Sequence, residues 1–151
     1  PCTHLLNKPT ILMNRKIITL PLTFLILFFV SFYTHAFLLE KTGIKLPFNL
    51  EKIYLFHAVF SSVLCLNFVI FSTVDKVFQQ ISFIYLATIV LKILLFCTIF
   101  YKPIFAEESL TNPQAISLLI PLFLFLSTEA FFVIKILNTN GAKTIKQKNG
   151  L

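Results

Sequence analysis

Two ionisable side chains sit where water should not reach, and they are the residues of this chain best placed for unusual chemistry. Lys92 is the twelfth residue of an apolar run over 81–101, and Glu129 lies inside another over 115–137. A lysine at the centre of a bilayer costs roughly 2.5–3.5 kcal/mol on insertion scales, so one held there has a partner or a task. At 100° per residue, Ser82, Tyr85 and Thr88 fall within about 80° of Lys92. That polar seam predicts protein rather than lipid beside this side of the helix. Glu129 is the expected partner. It stands 8 residues before the end of its run, and Lys92 stands 11 residues after the start of its own. At about 1.5 Å per residue their depths differ by only about 4–5 Å, which a lysine side chain spans. A buried Lys–Glu pair offsets the desolvation of both charges and locks two helices together. Two functional alternatives stand beside that structural role: contact with a membrane partner's carboxylate, or a step on a proton or cation path. The partner is preferred, because a path needs polar sites at several successive depths.

The histidines suggest a second seam. His35 and His57 each lie four residues from the end of a run, at one level, so that the two rings can approach each other. Ser61, Cys65 and Ser72 fall within about 80° of His57 on a helix, and Asn67 points away from them. The small residues Ala58 and Ser62, and Ser61 and Cys65, are spaced to let two helices come close. Two histidines make a poor metal site, since a closed zinc site wants four ligands. Hydrogen bonding between helices is the expected role. Cys2, Cys65 and Cys97 have neither metal-ligand spacing nor the pattern of a disulfide framework. No metal and no cofactor is expected.

Four apolar runs, 17–39, 53–74, 81–101 and 115–137, must position these groups. About 20 apolar residues of helix cross the hydrocarbon layer, so each run is long enough. The expectation is an all-α, integral membrane four-helix bundle with antiparallel up-down topology. Composition agrees: 57% of residues are hydrophobic and 13% charged, against about 45–50% and 25% in soluble domains. The first run spans 23 residues, longer than the roughly 7–15 of a signal peptide core, so a retained anchor is expected. With 19 Phe and no Trp, interfacial anchoring falls to Tyr33, Tyr54 and Tyr101.

Outside the runs the expectation is simple. Residues 1–16 read as a flexible basic leader and 138–151 as a flexible basic tail. Gly43 and Pro47 stop and turn the chain after the first run, and Pro113 suits the first turn of the last helix. The net charge of +7 flanks the runs, and no basic stretch of five or more residues occurs. Nucleic acid is therefore not an expected partner; membrane lipid is, through Arg15, Lys16, Lys143, Lys146 and Lys148. With both ends on one side, eight basic residues lie there (Lys8, Arg15, Lys16, Lys76, Lys135, Lys143, Lys146, Lys148) and four opposite (Lys41, Lys45, Lys52, Lys102). That excess predicts cytoplasmic termini. No hydrolase, metalloprotease or phosphate-loop signature is present, so an enzyme is not expected. No glycine lies within any run, which leaves the broken helices of secondary transporters unsupported.

The stretch Tyr85-Leu86-Ala87-Thr88-Ile89-Val90-Leu91-Lys92-Ile93-Leu94-Leu95, where a lysine interrupts the third span, resembles the ATP synthase I-chain family. The polar exit Lys135-Ile136-Leu137-Asn138-Thr139-Asn140-Gly141 is similar to that family's fourth span. The overall layout also resembles four-span families of the Bacteroidota type. Members of the I-chain family often carry an acid one turn before the lysine, where this chain has Ile89, so Glu129 would take its place. The resemblance implies an inner-membrane accessory that helps assemble the ATP synthase rotor ring or supplies cations to the enzyme. An oligomeric cation or solute permease, and a structural subunit of a larger membrane complex, are the alternatives. An ATP synthase subunit or self-association supplies the expected protein partner.

Overall fold

Where water is excluded, a segment must pair its N–H and C=O groups within itself, and an apolar chain therefore folds as helix. The computed structural model describes residues 8–74, 76, 79–105 and 110–150, and among these the side chains of all but 8–13, 103, 140, 143, 144 and 146–148. The described residues form helices α1 (Lys8–Thr42), α2 (Leu50–Phe71), α3 (Ile81–Ile99), α4 (Tyr101–Ile104) and α5 (Asn112–Asn149). All but α4 are long and apolar enough to cross a membrane. The protein is an all-helical, multi-pass bundle.

Local chemistry sets most of the boundaries. α1 stops at Thr42 because Gly43 takes a left-handed φ of 70°, a conformation with no penalty only for glycine. α2 begins at Leu50, three residues before its apolar run, because the Asn49 side-chain oxygen accepts from the Glu51 N–H at 3.0 Å and the Lys52 N–H at 3.4 Å. α5 opens on a reciprocal cap between Thr111 and Gln114, with Pro113 in its first turn as expected. Gln114 also donates to the Lys45 carbonyl at 2.8 Å, tying the start of α5 to the α1–α2 connection.

Other expected boundaries move as well. The third span ends at Ile99 rather than at 101, and Phe100 separates it from α4. Pro103 has no N–H to bond to the Ile99 carbonyl four residues back, and the short α4 resumes the ladder with the Ile104 N–H on the Phe100 carbonyl at 3.2 Å. α1 begins at Lys8, inside the segment expected to be a leader. α5 runs on to Asn149, 12 residues past the expected end at 137. Residues 138–149 contain no proline, and the single Gly141 costs a helix only about 1 kcal/mol.

α2 is the centre of the packing, with α1 and α5 against it and α3 on another side. Tyr54 of α2 is fully buried and meets Phe28, Phe32 and His35 of α1 and Phe125 of α5. It is thus an interior hub, whereas its place near a run end predicted an interfacial anchor. Tyr33 and Tyr101 remain exposed, as that role requires. Phe24 joins α1 to α5 through Phe125 and Phe132. α3 buries only Ile81, Lys92 and Phe96 among its described residues.

Candidate functional site

The deepest polar group in the bundle is assembled from three helices. Lys92 of α3 and Glu129 of α5 form an ion pair in which both residues are 0% exposed. Ser61 of α2 completes it: its hydroxyl donates to Glu129 Oε1 and accepts from Lys92 Nζ at 3.0 Å. Lys92 Nζ donates to the same Oε1. The face of Phe60 lies 5.7 Å from the ammonium, within cation–π range. The depth matching of Lys92 and Glu129 therefore holds, and the lysine is satisfied inside its own chain.

Helical periodicity stacks further layers on this one. His57, Phe96 and Phe125 lie one turn from Ser61, Lys92 and Glu129 respectively, and they form a ring layer at one end of the pair. His57 stands 5.0 Å from Phe96 and 6.1 Å from Phe125 between centroids. One turn in the other direction lie Cys65, Thr88 and Val133, with Cys65 and Val133 buried. Further on, Tyr85 meets the Phe68 ring at 5.9 Å. Along α2 and α3 the contacts fall in opposite number order: His57 with Phe96, Ser61 with Lys92, Phe68 with Tyr85.

Four buried polar atoms around the pair have no hydrogen-bond partner among the described residues: both ring nitrogens of His57, the Tyr85 hydroxyl and Glu129 Oε2. Each such atom costs on the order of 1–3 kcal/mol when left unmade. The interior is held by one strong polar node and is under-satisfied on either side of it. Among the described residues no three His, Cys, Asp or Glu side chains come together to hold a metal.

The structure redistributes several expected site residues. Ser61 leaves the histidine seam and joins the ion pair. Ser82 is exposed; lying at the edge of the 80° arc, it turns off the Lys92 side. Thr88 bonds back to the Tyr85 carbonyl at 2.7 Å rather than to the ammonium. His35 pairs with Tyr54 at 2.9 Å, not with His57, because the α1–α2 register places it opposite residue 54. Asn67 satisfies itself on the Val63 carbonyl at 2.9 Å. Arg15 and Lys16 are exposed at one end of the bundle, while the side chains of Lys143, Lys146 and Lys148 lie outside the described residues. Sequence reasoning missed Phe60, and it assigned Ser61 by helical angle when depth was the better guide. Ser61 sits at the middle of its span, as Lys92 does.

A family match spans this whole arrangement. Residues 13–140, which carry all three members of the ion-pair node, match DUF6168, described as a family of unknown function. The chain belongs to the DUF6168 family. None of the curated proteins and none of the solved structures matches it. In this DUF6168 member the matched segment takes in His35, His57 and the full length of α2 and α3 as well.

Proposed function

We propose that this chain is a non-enzymatic accessory or assembly protein of a larger membrane complex, seated in the bacterial inner membrane with both ends cytoplasmic. The observation that carries the reading is the way α3 is held. Its ammonium is engaged within the chain by Glu129 and Ser61, while Phe83, Leu86, Val90 and Leu94 face outward at 77%, 61%, 52% and 60% exposure. A partner helix would therefore read the apolar face of α3, and the ion pair would hold that face in place. This moves recognition away from a lysine–carboxylate contact with the partner. The I-chain resemblance makes F-type ATP synthase the complex to test first, in rotor ring assembly. A photo-crosslinking residue at Leu86 or Val90, in native membranes, is expected to trap a membrane subunit of the synthase. The same residue at Phe37 of α1 is expected not to. Equal trapping from both faces, or none of any synthase subunit, would overturn the reading.

One observation favours a second reading, a small cation or proton permease in up-down topology. His57, the Ser61–Lys92–Glu129 node, the Cys65–Thr88 level and Tyr85 lie at successive depths along the α2–α3 contact. Successive polar sites are what a conducting path requires. Proteoliposomes loaded with a pH-sensitive dye decide between the two. Flux removed by Glu129→Gln supports the path, and no flux in the wild-type chain removes it.

A further inference from the structure

At the end of the bundle that carries Arg15, three cations from two distant parts of the chain converge on one cleft. Arg15 and Lys16 come from the first turns of the α1 span, and Lys135 comes from α5. The cleft encloses about 210 Å³. Its floor is apolar: Leu20 at 5%, Val69 at 4% and Ile136 at 6% exposure, with Phe132 beside them. No acidic residue lines it, and among the described residues no carboxylate pairs with any of the three cations. Thr19, also in the wall, has its hydroxyl engaged on the Arg15 carbonyl at 2.7 Å. The cleft therefore presents unneutralised positive charge above a hydrocarbon-like base.

Its depth matches a headgroup. The α5 span runs Asn112–Thr139, and Lys135 stands about 14 Å along the axis from its midpoint at 1.5 Å per residue. Half the hydrocarbon thickness is about 15 Å. The cations thus lie at the boundary where phosphates are, and Leu20, Val69 and Phe132 of the floor lie on the acyl side. Basic clefts between spans on the cytoplasmic face are suited to anionic headgroups.

We propose that this cleft is a binding site for one anionic glycerophospholipid, with its phosphate held by Arg15, Lys16 and Lys135 and an acyl chain laid over Leu20, Val69 and Phe132. The site pins α1 to α5, because its cations come from both helices. It rests on the chain's place in a membrane and on the proposed cytoplasmic side of this end, not on the identity of any protein partner.

The full chain, purified in mild detergent and titrated with phosphatidylglycerol or phosphatidylcholine of identical acyl chains, tests this by native mass spectrometry. One phosphatidylglycerol is expected per chain, retained well beyond phosphatidylcholine. Removal of a single cation, as in Lys135→Gln, should weaken retention about fivefold, and R15Q/K16Q/K135Q on the order of a hundredfold. K41Q/K45Q/K52Q, at the opposite end, should leave retention unchanged. The three cleft cations are exposed, so the triple variant should keep its helical content and unfolding midpoint, which the same samples report. Equal retention of the two lipids would overturn the proposal, as would a triple variant that binds like the wild type. Complete displacement by millimolar inorganic phosphate would show an ion site without a lipid component, and would overturn it too.

Discussion

α2 and α3 are almost equally apolar, yet half of the α2 span is buried in the bundle and only 17% of the α3 span is. α2 touches α1, α3 and α5 and carries Tyr54, His57, Ser61, Cys65 and Phe68 in the interior. α3 fully buries only Ile81, Lys92 and Phe96, packs Ile84 and Tyr85 partly against the core, and leaves most of its remaining length exposed. In lipid, apolarity does not drive one helix against another, because acyl chains solvate leucine as well as leucine does. What fixes α3 is therefore a charge that has nowhere else to go, together with one ring layer. α2 is fixed by shape on three sides. The contrast separates a helix held by packing from one held by a polar node.

The sharpest way to break the contrast is at the node. Lys92→Met strands Glu129 in the interior and should lower stability by about 3–5 kcal/mol in a denaturing-detergent titration. The double variant Lys92→Met with Glu129→Leu should regain most of that loss, since a buried pair replaced by apolar groups of similar volume is often neutral. A double variant as unstable as the single would mean that the pair contributes more than mutual neutralisation. Phe96→Ala comes next: it opens the ring layer that helps seat α3. Its cost should stay below the roughly 3–5 kcal/mol of an aqueous core, because in lipid only the lost packing counts and no transfer from water is forfeited. The same titration reads it.

Smaller effects sharpen the comparison. Ser61→Ala removes the hydroxyl that joins α2 to the pair, and Tyr54→Phe removes the partner of His35; each should cost about 0.6–1.7 kcal/mol. Ser61→Ala should also free α3 to crosslink at lower efficiency to α2, and Tyr54→Phe should not. Leu94→Ala, on the outward face of α3, should change stability by less than about 0.5 kcal/mol. A Leu94 effect as large as that of Phe96 would show that α3 is packed on both sides.

The sequence made the spans and the central pair legible because both follow from one-dimensional quantities. Run length decides crossing, and residue count from a run end decides depth. Lys92 and Glu129 were matched on depth alone, and the side chains meet. What one helix shows of its neighbours is less legible. Helical angle grouped Ser61 with His57, yet its depth put it with Lys92; the same angle grouped Ser82 with Lys92, at the edge of the arc. Tyr54 looked like an interfacial anchor because it lies near a run end, but register against α1 turned it into the hub. The unequal burial of α2 and α3 was not readable, since lipid and protein reward the same side chains. Helix ends set by hydrogen bonding also escaped: Asn49 and Pro103 shift two boundaries by a few residues without altering the apolar pattern.

The last helix does not end where the hydrocarbon does. Half the hydrocarbon thickness from the α5 midpoint is reached near Ile136, and Asn149 lies 13 residues beyond it, or about 20 Å along the axis. A headgroup layer is about 5–8 Å deep on each side, so more than one turn stands in open water. A free peptide of that length would barely form helix, because the first turn is the difficult one to start. Here that start has already been made within the bilayer, and the aqueous part only has to propagate it. The projecting end is consequently a lever rooted in the bundle, and a small tilt of α5 near Glu129 would sweep its tip through a larger arc above the membrane.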